Sequence, residues 1–225
     1  MKHLNAKKYN LAWFKLAECV SRREKERALG VYRLLSHSVG NDALAKQLFG
    51  DLLLCFEEKE DAIQQYKQAA QMYKNQNKHI ESIAVYEHLI TLNSDDKEDI
   101  FDLCDLYART QLPHKIVFHI DNLLKNNKLD FVLRIVKKHD DLFDSADALN
   151  INQELSFALM RDKTRSREVI IGQLEKTLDK FLMIGQEEQD GESVGSPEVL
   201  NEYLIKVELE DESFHKHACK YLEKI

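Results

Sequence analysis

The sequence predicts an all-α protein, and three observations carry that prediction. Chain-breaking residues are scarce, with 7 Gly and 2 Pro in 225 residues. Leu, Ala, Lys, Glu and Gln dominate, and these residues lose little side-chain freedom in a helix. Neither alternating Val/Ile/Thr runs nor Asn-Gly and Asp-Gly turns between apolar segments mark strands. At about 150 residues per domain, the length fits one domain or one with a small extension. That is enough chain to bury a core without disulfide or metal staples.

Apolar spacing and polar interruptions place the helices in order. A first hairpin spans 8–21 and 25–37. The turn Gly40-Asn41-Asp42 leads to a second pair at 43–57 and 60–75. Asn75-Gln76-Asn77-Lys78 precedes a helix at 79–92, which Asn93-Ser94-Asp95-Asp96 ends. Helices at 97–110 and, after Leu112-Pro113, at 114–126 follow. Beyond Asn126-Asn127-Lys128, helices fit 129–142, 150–161 and 165–185. Residues 186–197 are acidic, contain Gly and Ser, and lack large apolar side chains, so they read as a flexible linker. Two short helices, 197–209 and 212–224, complete the chain.

A hairpin pattern recurs along the first half. It runs Trp13-x2-Leu16-Ala17 with Ala28 and Tyr32, then Phe49-Gly50 with Ala62, Tyr66 and Ala69, then Leu103-Cys104-x2-Tyr107. The small residue marks where two helices approach closely. Ala17 to Gly50 is 33 positions, Gly50 to Ala70 is 20, and Ala70 to Cys104 is 34. The short step is explained if the helix Ala62-Ile63-x2-Tyr66-x2-Ala69-Ala70-x-Met72-Tyr73 serves two hairpins at once, which requires apolar or small residues over a wide arc.

Over residues 9–126 this pattern resembles the tetratricopeptide repeat (TPR), whose period is about 34 residues. The likeness implies a right-handed superhelix of antiparallel helical hairpins, an α-solenoid, occupying 1–126. Residues 127–185 would be degenerate repeats or a helical cap, which a stacked array needs to cover its last apolar face. The 186–197 linker and a C-terminal helical segment, 198–225, would follow. The match loosens in the third hairpin, where Ile116, Ile120 and Leu123 stand in place of small and aromatic residues. Ser94 and Lys128 replace the usual closing Pro.

The resemblance also implies a concave groove lined by the first helix of each hairpin. Carried over by position, its residues are Leu11, Phe14, Glu18 and Arg22; Gln47, Asp51 and Leu54; Lys67, Gln71 and Lys74; and Phe101, Asp105 and Arg109. Such a surface suits a protein or peptide partner with apolar anchors and charges. The chaperone C-terminal carboxylate is an unsuitable ligand, because Phe14, Glu18 and Leu48 occupy positions where the carboxylate-binding repeats carry a Lys and two Asn.

Charge is polarised. Residues 1–40 carry 9 Lys/Arg against 3 Asp/Glu, residues 185–225 carry 4 against 11, and the total is −7. An acidic chain with a basic head is a poor general binder of nucleic acid. Four widely spaced cysteines, with Cys55 and Cys104 read as packing residues, suit a reducing, cytoplasmic setting. No signal-peptide core follows Met1-Lys2-His3, and no membrane insertion is expected. His215-x-His217-x-Cys219 lacks the second ligand pair of a structural metal site. His139-Asp140-Asp141 reads as a charged helix end. Phosphate loops and nucleophile elbows are absent, so no catalytic residue, metal or cofactor is expected.

The expected function is a non-catalytic scaffold or adaptor. Alternatives are a secretion or trafficking chaperone, and an enzyme or nucleic-acid accessory using the basic run Arg161-Asp162-Lys163-Thr164-Arg165-Ser166-Arg167. Homodimerisation through helix 165–185, by Ile170, Leu174, Leu178 and Phe181, is a further expectation, as is charge pairing between basic head and acidic tail.

Overall fold

The computed structural model describes residues 6–94, 96–187 and 195–224. These form twelve α-helices and no strand among the described residues. Contacts divide the chain into two units, 1–110 and 111–225. The first holds α1 (Ala6–Ser21), α2 (Lys25–Ser36), α3 (Asp42–Cys55), α4 (Lys59–Asn75), α5 (His79–Leu92) and α6 (Lys97–Arg109). The second holds α7 (Pro113–Lys125), α8 (Leu129–His139), α9 (Ser145–Arg161), α10 (Arg167–Glu187), α11 (Pro197–Glu210) and α12 (Glu212–Leu222). The helix at 113–125, read from the sequence as the end of the repeat array, thus falls in the second unit.

Two kinds of connection join the helices. Tight turns place one non-glycine residue in the left-handed region: Arg23, Glu57, Asn77, Gln111 and Asn127. In four of them the same pair of bonds closes the preceding helix, as in Arg23 N–H to Val20 C=O and Glu24 N–H to Cys19 C=O. This satisfies end carbonyls that the helix itself leaves open. The other class starts a helix with a side-chain cap. Asn41, Asp96, Asp144, Ser196 and Asp211 each accept a backbone N–H from the first turn of α3, α6, α9, α11 and α12.

Every expected helix is present, with three shifts. Helix α9 begins at Ser145 rather than 150, because Asp144 caps it and Ala148 and Leu149 are buried. The helix expected over 129–142 stops at His139 and gives way to a single 3-10 turn, Asp140–Leu142. Helix α10 runs to Glu187, so it consumes the start of the expected linker. Residues 188–194 of that linker lie outside the described residues, and Ser196 and Pro197 form the cap and first turn of α11.

The 34-residue spacing is sharper in the structure than in the sequence reading, with one correction. Ala17 is exposed, and its neighbour Leu16 is the buried residue, 34 positions before Gly50. Leu16 packs with Cys19, Ala28, Tyr32, Leu35 and Leu52, while Trp13 lies partly buried against this cluster. With that shift, Leu16, Gly50, Ala70 and Cys104 form one buried series, spaced 34, 20 and 34. Ala28, Ala62, Ser82 and Ile116 form a second, and Tyr32, Tyr66, Tyr86 and Ile120 a third, all buried and all with the same spacing. The turn residues Arg23, Glu57, Asn77 and Gln111 repeat it again.

Close approach explains the small member. A Cβ on Gly50 would stand 2.9 Å from the Tyr66 ring, and filling that space costs about 1–3 kcal/mol. Helix α4 packs on α3 and on α5, so it buries Ala62, Tyr66, Ala69, Ala70 and Tyr73 over the wide arc that the shared-helix reading requires.

A second correction concerns Cys55. It is exposed, because it is the last residue of α3 and Leu52 and Leu53 take the core positions. Cys104 is fully buried, and burial, with the nearby Asp105 charge, pushes its thiol up to about 12. It is therefore an un-ionised packing residue at neutral pH.

Candidate partner-binding face

Helix α1 turns Leu16 and Cys19 inward, which leaves Leu11 and Phe14 outward. They are 57% and 73% exposed, one helical turn apart. Below them, Glu18 and Arg22 pair with each other at 2.7 Å on the exposed flank. On α3, Asp51 accepts the Tyr66 hydroxyl at 2.6 Å and Gln47 accepts that of Tyr73 at 3.3 Å, while Leu54 is half-buried. Burial and then the Asp51 carboxylate both push the Tyr66 phenol above its ordinary range.

Helix α4 presents Lys67, Gln71 and Lys74 at i, i+4 and i+7, and α6 answers with its cap Asp96 and with Asp99 and Asp102 at the third and sixth positions after it. Lys67 lies 2.5 Å from Asp96 and 3.1 Å from Asp99. Lys74 lies 2.8 Å from Asp102. Gln71 donates to Asp102 and to the Tyr86 hydroxyl, and Tyr86 in turn donates to Asp102 at 2.8 Å. Asp102 therefore gathers three donors.

Burial works against the Asp102 carboxylate, but the bonds from Lys74 and Tyr86 outweigh it and hold its pKa below the ordinary value. Asp96 is likewise held low against its burial, by Lys67 and by two backbone N–H groups of α6. Asp99 goes the other way. It is almost fully buried, and desolvation raises it despite Lys67. Lys67 is partly desolvated as well, yet its two carboxylate partners raise it overall.

The structure thus brings together one part of the expected groove, Lys67, Gln71 and Lys74, and closes it with acids and a tyrosine of the same chain. Sequence reasoning missed Asp96, Asp99, Asp102 and Tyr86. The available signal was the matched helical spacing of three acids against two lysines and a glutamine, separated by about 30 positions. Phe101 and Asp105 are half-buried on α6, and Arg109 is exposed at its end.

In the second unit the basic run is spread among separate acceptors. Arg161 pairs with Glu210. Arg165 pairs with Asp130 and with Asp162. The Arg167 guanidinium stands 5.3 Å from the Phe214 ring centroid. His217 meets Glu175 at 2.8 Å, whereas His215 lies 3.5 Å from the Cys219 thiol, so the two histidines serve different contacts. No group of three His, Cys, Asp or Glu among the described residues is placed to hold a metal ion. Ile170, Leu174, Leu178 and Phe181, the expected dimer stripe, are buried inside the chain. No helix among the described residues is long and apolar enough to cross a membrane. No protein-family model matches the chain, and no curated protein does.

Proposed function

We propose that the chain is a non-catalytic binding scaffold that holds a peptide or helical segment against its first unit. The observation that carries this reading is the Leu11–Phe14 pair, two large apolar side chains left outward on a helix whose opposite face is buried. The 34-residue series of small and tyrosine positions supports a tetratricopeptide-like array, and solenoid arrays of that kind work as stackable binding surfaces. Charge contributes less than the aromatic anchors. Lys67 and Lys74 already have carboxylate partners, and an exposed pair such as Glu18–Arg22 is worth about 0.2–1 kcal/mol. Phe14 is the dominant anchor, with Phe101 further along the same unit, and Arg22 and Arg109 supply peripheral charge.

Panning a random-peptide library against the whole chain tests this. Peptides selected on the native chain should lose about tenfold or more in affinity for Phe14→Ala, while far-ultraviolet circular dichroism stays unchanged. Selected peptides that bind Phe14→Ala as well as the native chain would remove Phe14 from the binding face.

A further inference from the structure

Helix α11 is held from one side. Tyr203 and Val207, at i and i+4, are buried, and the Tyr203 ring lies 5.3 Å from Phe157 of α9 and 5.4 Å from Phe181 of α10 between centroids. Glu210, one turn beyond Val207, accepts two N–H donors of Arg161. These contacts decide which face of α11 points outward. By the helical period it is the face of Glu198, Glu202, Ile205 and Leu209, at i, i+4, i+7 and i+11, opposite Tyr203 and Val207. All four are exposed, Ile205 by 49% and Leu209 by 81%.

The outward stripe has the alternating four- and three-residue steps of a coiled-coil seam. Two of its members are large aliphatic side chains one turn apart, and the other two are carboxylates, with Glu208 beside Leu209 as a third. Among the described residues Glu198, Glu202 and Glu208 have no ion-pair partner, whereas Glu210 and Glu212 are bound, to Arg161 and to Lys216. Lys206 is the one cation of α11. The Ile205–Leu209 pair gains from being covered, and the three carboxylates select what covers it. The α11 of a second copy would set glutamates against glutamates. A nucleic acid or an anionic lipid surface would set phosphates against them. A cationic helix reverses each of these contacts.

We propose that the outward face of α11 docks a basic amphipathic helix of another protein. That helix lays two aliphatic side chains on Ile205 and Leu209 and reaches Glu198, Glu202 and Glu208 with Lys or Arg. The surface belongs to the second unit and is independent of the Phe14 face.

The probe is a labelled synthetic helix of about three heptads, with Leu at its two central seam positions and Lys at the remaining seam and flanking positions. Fluorescence anisotropy should show saturable binding to the whole chain, weakening as salt rises. Leu209→Gln and Glu202→Lys change exposed side chains, so each should keep the native helicity and weaken binding about tenfold. Phe14→Ala should bind the probe as the native chain does. A scrambled probe of the same composition tests bulk charge attraction and should bind at least about tenfold more weakly. Binding that does not saturate, or that is equal for the scrambled probe, overturns the proposal. So does unchanged affinity in Leu209→Gln or Glu202→Lys, or affinity lost in Phe14→Ala. Sedimentation of the chain alone covers the remaining occupant: self-association that Leu209→Gln abolishes would assign this face to another copy and overturn the proposal equally.

Discussion

The α4–α6 seam of the first unit and the α9–α10 seam of the second both put polar groups between helices, but with opposite chemistry. In the first, two lysines meet three aspartates, with the Lys74 and Asp102 side chains 21% and 29% exposed. In the second, Asn152, Ser156, Gln173 and Thr177 are buried, neutral, and bonded to one another or to backbone carbonyls. A charge withdrawn from water costs more than its partner returns unless the geometry is good and some solvent remains. Amides and hydroxyls carry a smaller desolvation cost, so they can be enclosed when each finds a partner. The ionic seam accordingly keeps Lys67, Lys74, Asp96 and Asp102 where water still reaches, with Asp99 alone of its charges almost fully buried, and the neutral seam goes inside. The first should respond to pH and salt, and the second to neither.

The contrast can be broken from either side. The largest effect is expected from Tyr203→Ala, which empties the space between Phe157 and Phe181 and should cost about 3–5 kcal/mol in a denaturant melt. Asn152→Ala strands the Gln173 amide and breaks the cluster, at about 2–3 kcal/mol. Its penalty should be the same in low and high salt. Asp102→Ala, in the half-exposed seam, should cost about 1–2 kcal/mol at neutral pH, because the lost bonds are partly replaced by water.

The pH dependence of that last penalty separates the seams. The folded pKa of Asp102 lies below its unfolded value of about 3.9. Its contribution is therefore complete above about pH 4 and disappears as pH falls through the folded value. The difference between native and Asp102→Ala stability should shrink accordingly below pH 4, while that for Asn152→Ala stays constant. Lys67 supplies the alkaline counterpart. Its folded pKa is raised, so its contribution is whole below about pH 10.5 and is lost above that. The smallest effect concerns the turns. Gln111→Gly removes a left-handed non-glycine residue and should stabilise by about 0.5 kcal/mol, after the greater unfolded-state freedom of glycine is subtracted.

The helices were legible because their ends are written locally, in polar breaks such as Gly40-Asn41-Asp42 and Asn93-Ser94-Asp95-Asp96. At α9 the break is a single residue, Asp144, whose side chain caps the helix five residues before the apolar spacing alone would start it. The repeat register was legible to within one residue. The spacing puts Ala17 at the small position, yet the inward face of α1 is set by contact with Ala28 and Tyr32, which places Leu16 inside and Ala17 out. The seams were not legible. Lys67 and Asp96 are 29 positions apart, and Asn152 and Gln173 are 21. A lysine or glutamine on a helix looks the same in sequence whether it faces water or another helix.

Trp13, the single tryptophan, lies partly buried against the cluster of the first hairpin. Its position gives the molecule a built-in optical asymmetry. Indole emission reports the opening of α1 and α2, whereas circular dichroism sums the helices of both units. Superimposed transitions from the two signals would mean that both units unfold in one step, and displaced ones would measure the stability of each half separately. One fluorophore in one hairpin thus lets an unlabelled chain say whether its first helices open before the rest.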